Sequence, residues 1–140
     1  MKQNLPVSQV EVPFPKGSYI VSRTDLKGII TYGNDTFVDI SGFSREELIG
    51  KNHNLVRHPD MPPQAFAWLW DTIKTGRPWR GVVKNRRKNG DHYWVEALVV
   101  PVSKDGQTTG YMSVRTEPSR EQVVGAEALY KQLNAGQASI

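Results

Sequence analysis

The chain has 140 residues, enough to bury one core and not two. Hydrophobic residues make up 38% and charged residues 23%, a balance that implies a modest core with hydrophilic ends, and no window approaches the roughly 18 to 20 continuous apolar residues of a membrane span. Cysteine is absent, which excludes disulfides, thiolate metal sites and thiol nucleophiles, and much of the net charge of +4 comes from one cluster, Lys84, Arg86, Arg87 and Lys88, that reads as a solvated hairpin and not as a nucleic-acid surface.

Residues 1–17 mix Pro6, Pro13 and Pro15 with polar side chains, show no period, lack the apolar core of a secretory signal, and read as a flexible arm. Ser18 to Arg23 and Ile29 to Tyr32 read as strands joined by the turn residues Asp25 to Gly28. Asn34 is placed to cap a short helix that carries Phe37 and Ile40 on one face and stops at Gly42. Ser44 and Glu47 then have capping-box spacing, with Phe43 and Leu48 spaced as a hydrophobic staple, so a second short helix runs to Gly50. Asp60 is expected to cap a longer helix with Pro62 and Pro63 in its first turn, Phe66, Leu69, Trp70 and Ile73 on one face, and Gly76 at its end. Trp79 to Arg87, His92 to Val102 and Thr108 to Arg115 alternate as strands, and Lys88-Asn89-Gly90 and Lys104-Asp105-Gly106 supply the turns of two consecutive hairpins. From Pro118 a last helical stretch carries Val123, Val124, Ala126, Leu129 and Leu133. The order predicts an α+β domain, an antiparallel sheet with helices on one face, over residues 18–117, followed by a linker helix and tail over 118–140.

Trp79 to Arg87, the Arg87-Lys88-Asn89-Gly90 turn, the Tyr93-Trp94 strand and Val100-Pro101-Val102 resemble the PAS family across residues 18–117. Asn34 to Phe37, His53 to Pro62 and Lys84 to Trp94 are similar, more narrowly, to the N-terminal sensors of bacterial aerotaxis receptors, and Leu129-Tyr130-Lys131 with Leu133 to Gly136 resembles the segment that leads onward from them. The resemblance implies a five-stranded antiparallel sheet enclosing FAD, whose redox state follows oxygen and electron transport. It further implies a cytoplasmic domain, tethered to the inner membrane in a full-length receptor, that reports to a C-terminal chemotaxis signalling module without turnover.

A flavin site needs an apolar slot for the ring, hydrogen-bonding groups for its pyrimidine edge, and positive or donor groups for phosphate. With period two, Trp79, Gly81, Val83 and Asn85 face the pocket, as do Tyr93, Val95, Ala97 and Val99, and then Tyr111, Ser113 and Arg115. Gly81 is expected to leave room for a ring against the strand, and Asn85 offers both a donor and an acceptor. Flavin-binding light sensors of the PAS class carry an asparagine matching Asn85 and a second where this chain has Val95. Trp79 resembles a residue implicated in FAD retention, and its ring can stack on or wall in another. His53 stands where light sensors place their adduct-forming cysteine, so thiol addition is impossible, and it either donates to the ring or shapes the pocket. Arg57, His58 and Asp60 resemble residues needed for FAD binding: Arg57 suits a pyrophosphate, His58 adds a hydrogen bond, and Asp60 serves better as a helix cap. Asn34, from the first motif, and Trp70, on the long helix, complete the candidate contacts. Light-sensing relatives usually carry glutamine where this chain has Arg115, a cation that would favour negatively charged reduced forms of the ring, or else a strand-end arginine in solvent.

Trp94, Glu96, Leu98 and Val100 take the outward parity, and Trp94 and Leu98 are expected to form a docking surface for a second PAS domain or the trailing helix. The residues leave FMN open beside FAD. Two other functions remain: a haem-based gas sensor with His53, His58 or His92 on iron, and a cofactor-free association module. No nucleophile arrangement or carboxylate pair emerges for an enzyme.

Overall fold

The computed structural model describes residues 5–136. Five strands, β1 (Ile20–Asp25), β2 (Ile30–Gly33), β3 (Trp79–Arg86), β4 (His92–Lys104) and β5 (Gln107–Thr116), form one antiparallel sheet in the order β2-β1-β5-β4-β3. Between β2 and β3 lie helices α1 (Asp35–Ser41) and α2 (Arg45–Leu48), a 3-10 turn (His53–Val56) and α3 (Pro63–Ile73); α4 (Arg120–Asn134) follows the sheet. The α+β architecture and its element order are those the alternation and caps predict.

Local signals place the short helices. Asn34 Oδ1 accepts from the Phe37 backbone N–H at the start of α1, and Ser44 and Glu47 close a reciprocal capping box on α2. A second box, Ser119 with Gln122, begins α4. At α3 the structure corrects the sequence reading: Pro62 is the N-cap residue and Asp60 caps nothing, because its carboxylate turns to Lys84 Nζ, 2.9 Å away on β3. Pro63, at the first helical position, removes one of the N–H groups that the first turn would otherwise leave without an intrahelical partner.

Two segments read as peripheral are packed. Residues 5–17 lack helix or extended strand, yet they run along the β3–β4 hairpin: Ser8 N–H donates to Gly90 C=O at 2.9 Å, Val12 N–H to His92 C=O at 2.7 Å, and His92 N–H to Val10 C=O at 3.0 Å. Phe14 is buried with the core, and Arg86 Nε donates to Pro6 C=O at 2.6 Å. A flexible arm is therefore not what these residues form; their backbone groups find partners at the hairpin end. On the outward sheet face Trp94 is 4% exposed, which removes it from a surface open to a second domain and leaves the trailing helix as the occupant of that face. The face beside it is crossed by α4, whose buried residues are Val123, Tyr130 and Leu133. The Tyr130 hydroxyl donates to Val82 C=O and Gln122 Nε2 donates to Glu96 Oε2 at 2.8 Å. Leu98 stays half-buried.

The Tyr130 bond joins α4 to the edge strand, so Tyr130→Phe should lower unfolding free energy by about 1 kcal/mol, the net worth of one hydrogen bond. Urea denaturation reads this; an unchanged midpoint would mean that apolar packing alone holds the helix.

Candidate functional site

The inward face of the sheet, the 3-10 turn and α3 enclose a cleft with about 830 Å³ free of protein atoms, its mouth included. Period-two alternation brings Trp79, Val83 and Asn85 of β3, Val95, Ala97 and Val99 of β4, and Tyr111, Ser113 and Arg115 of β5 to its wall, with Ser22 and Thr24 from β1. Asn52 to Asn54, Val56 and Arg57 close one side, and Phe66, Leu69, Trp70 and Ile73 of α3 another. The wall is mainly apolar, carries Arg57 and Arg115, and includes no carboxylate.

At the inner end, Arg115 is 2% exposed. Its Nη2 donates to Ser22 Oγ at 2.5 Å, its Nη1 lies 3.3 Å from His53 Nε2, and its guanidinium carbon sits 4.7 Å from the Phe37 ring centre. Burial lowers its pKa to about 10, so it stays charged at neutral pH. His53 stacks on Phe37, ring centres 5.6 Å apart and planes at 8°, and Ser22 Oγ lies 2.9 Å from its Nε2. Burial first, and then the Arg115 charge, push the His53 pKa down to about 3. The imidazole is therefore neutral. Because Arg115 can only donate, Nε2 is the acceptor and the ring proton belongs on Nδ1.

Of the nine residues singled out in the sequence, six meet at this cleft: His53, Arg57, Trp70, Trp79, Asn85 and Arg115. The Arg57 guanidinium carbon sits over the Phe66 ring, 3.6 Å from its centre, and the Arg57 backbone bridges to Asn85. Trp70 meets Tyr111 edge to face at 5.7 Å and packs beside Gly28, whose φ of +86° suits glycine. Trp79 folds its indole back over Gly81, where a Cβ would collide with it; the room at Gly81 thus belongs to the protein's own tryptophan and not to a ligand ring.

The other three lie elsewhere. Asn34 spends its amide on Phe37 N–H, on Val21 N–H at 3.1 Å and on Tyr19 C=O at 2.9 Å. His58 is buried with its Nδ1 accepting from Asp60 N–H at 3.0 Å. Burial is the largest cause that lowers its pKa to about 4, followed by the Lys84 charge. Asp60 binds Lys84 through its carboxylate and Asn134 Nδ2 through its C=O, the latter at 2.7 Å. Both residues brace the segment that follows Arg57 and neither lines the cleft. His92 sits on the outward parity, 5.9 Å from the His58 ring, so of three histidines only His53 reaches the cavity, and its Nε2 is already engaged. Ser22 escaped the sequence reading although its inward parity in β1 marks it, and Phe37 and Phe66, the aromatic beds of the two arginines, were legible only as core.

The donor set suits a flat aromatic ligand able to carry negative charge. Arg115 Nε and Trp79 Nε1 are buried N–H groups without a partner among the described residues, and the lining includes the Arg57 and Arg115 guanidinium groups and no acid. Such a cleft, on this sheet, is built to take a flat ligand between the inward strand face and α3.

The PAS fold matches residues 30–115, and the chain belongs to that family. It is 53% identical over 133 residues to the aerotaxis receptor of Escherichia coli, 95% of this chain and 26% of that protein, so it spans about a quarter of that relative's length. The light-state structure of the blue-light photoreceptor Aureochrome1 LOV superposes with a TM-score of 0.67 at 21% identity, covering 84% of this chain and 90% of the other. A light-oxygen-voltage domain studied with a flavin analogue gives 0.66 at 21% identity, over 84% and 87% of the two chains.

His53 carries a pH dependence. Its folded pKa, about 3, lies below its ordinary 6.5, so between these values the unfolded chain binds the proton and the native one does not. Stability should fall as pH drops from 6.5 toward 3, and because His58 is lowered in the same direction, His53→Gln should make that part of a urea-midpoint profile shallower without abolishing it. A slope as steep as the wild type's would remove His53 from the account.

Proposed function

We propose that this chain binds FAD in the cleft and acts as the redox-sensing domain of an aerotaxis-type receptor. Arg115 carries the reading: a buried, charged guanidinium faces the cavity with no acid among its lining residues to balance it. A bound flavin supplies one- and two-electron redox chemistry. The rest is work for this chain's side chains. In a low-dielectric cavity the Arg115 charge favours a ligand that gains negative charge, while Ser22 and neutral His53 fix the guanidinium in place. Asn85 offers a donor and an acceptor to a pyrimidine edge, and Trp70 and Trp79 wall the ring. Arg57, held over Phe66 at the cleft wall, suits the pyrophosphate. FAD in place of FMN follows from the resemblance of Asn34 to Phe37 and His53 to Pro62 to aerotaxis sensors, and the flavin reading is supported by the neighbouring fold studied with a flavin analogue. Haem is disfavoured because the one histidine at the cavity is committed to Arg115 and Ser22.

Output in this reading is a change of contacts and not a product. Segment 57–62 joins the cleft to α4 through the Asp60–Asn134 hydrogen bond, and α4 leads toward a C-terminal signalling module. No helix among the described residues is long and apolar enough to cross a membrane, which fits a cytoplasmic domain tethered through other parts of a receptor. With Trp94 buried, contact with a second PAS domain would use the half-buried Leu98 region without it.

Purified protein should be yellow, and the chromophore released by heat should have the mass of FAD; FMN, haem or no chromophore would each refute the assignment. Asn85→Ala should weaken retention by roughly tenfold, the cost of about 1.4 kcal/mol in lost polar contacts. Arg115→Gln should lower the midpoint potential of the bound flavin, and an unshifted potential removes Arg115 from the account.

A further inference from the structure

Trp79 forms part of the cleft wall, is 3% exposed, and has an indole N–H without a partner among the described residues. Its ring meets Trp68 of α3 edge to face, with centroids 5.1 Å apart and planes at 76°. Trp68 is 43% exposed. The two indoles make one aromatic path from the ligand cavity to water. Packing accounts for the inner ring, but a large indole left nearly half in solvent adds little to the core, whose residues on α3 are Ala65 and Ile73. Tryptophan is among the most readily oxidised side chains, and two indoles in contact can exchange an electron. The other tryptophan at the cavity, Trp70, meets the Tyr111 ring, which is 8% exposed, so that contact leads back into the protein.

We propose that the Trp79–Trp68 pair is an electron relay through which blue light drives one-electron reduction of the ring in the cleft, an inference that rests on the flavin reading above. Light absorption makes an oxidised flavin a strong oxidant, and Trp79 gives it one electron. Trp68 then gives one electron across the edge contact and restores Trp79. The oxidised Trp68 indole releases its N–H proton to water and recovers an electron and a proton from a dissolved thiol; two thiyl products combine as a disulfide. Each cycle moves one electron from thiol to ring, releases one proton, and forms no bond between protein and ring. The absence of cysteine closes the adduct route and leaves this one open. Arg115, still protonated at neutral pH, balances the charge that arrives. Export of the oxidising equivalent to Trp68 is what prevents its immediate return from Trp79.

The test uses the flavin-loaded wild-type chain, Trp68→Phe, and Tyr32→Phe as a control at an exposed aromatic remote from the relay. Samples with matched visible absorbance are illuminated with blue light without oxygen in the presence of dithiothreitol. The oxidised band should bleach in the wild type and in Tyr32→Phe and be largely retained in Trp68→Phe. Transient absorption and electron paramagnetic resonance should show a long-lived tryptophan radical that Trp68→Phe lacks. Bleaching of Trp68→Phe at the wild-type rate, or an unchanged radical signal, overturns the relay while the flavin reading stands. A wild-type chain with no flavin band before illumination overturns both, so the two failures are told apart by the dark spectrum.

Discussion

The structure depends on keeping one guanidinium charged and out of water. Burying an ion without a counter-ion costs several kcal/mol, and Arg115 is met by a hydroxyl, a neutral imidazole and a phenyl face, with no carboxylate among the residues lining the cleft. Each of these partners is placed by a different element: Ser22 by β1, Phe37 by α1, His53 by the 3-10 turn, Arg115 by β5. The cost of that burial is offset by the rest of the core, and the charge remains directed at an open space. His53 illustrates the consequence, since the same positive charge that it helps position also keeps its own ring unprotonated.

A second set of interactions ties the cleft to the outward side of the sheet. β3 is an edge strand, and residues 57–61 run along it: Arg57 bridges Asn85 inside the cleft, Lys84 N–H donates to Met61 Sδ at 3.4 Å, and Asp60 takes the Lys84 ammonium on the far face. The same Asp60 holds the end of α4 through its backbone. An edge strand is normally a liability because its backbone groups are unpaired. Here that edge joins ligand cavity, strand and exit helix within a few residues. His58 and Asp60 thus brace the segment that carries Arg57 into the cleft wall, although neither lines the cleft.

The match to a light-oxygen-voltage fold and the similarity to an aerotaxis receptor meet in a chain that has no cysteine, so no thiol adduct can form on it. The pocket wall follows the period-two pattern and carries positive charge with no acid among its lining residues. A glutamine at position 115 would bring a neutral donor and acceptor; arginine brings a fixed positive charge.

Much was legible in the sequence because it follows from short-range rules. The capping box at Ser44, the Asn34 cap and the two hairpin turns are local, and the alternation of Trp79, Val83, Asn85, Val95, Tyr111 and Arg115 follows from strand geometry once the strands are located. What failed was local inference about residues whose partners lie far along the chain. Asp60 has cap spacing but finds Lys84, and the N-terminal prolines show no period yet their segment pairs with the β3–β4 hairpin. Gly81 is the clearest case: sequence shows that space is needed there, and only the packed structure shows that Trp79 fills it. Periodicity and capping need only neighbours in sequence, so the chain alone determined its elements and their inward faces. Which charges pair, which faces are covered and which indoles touch depend on contacts across the sheet, and tertiary structure alone decided them.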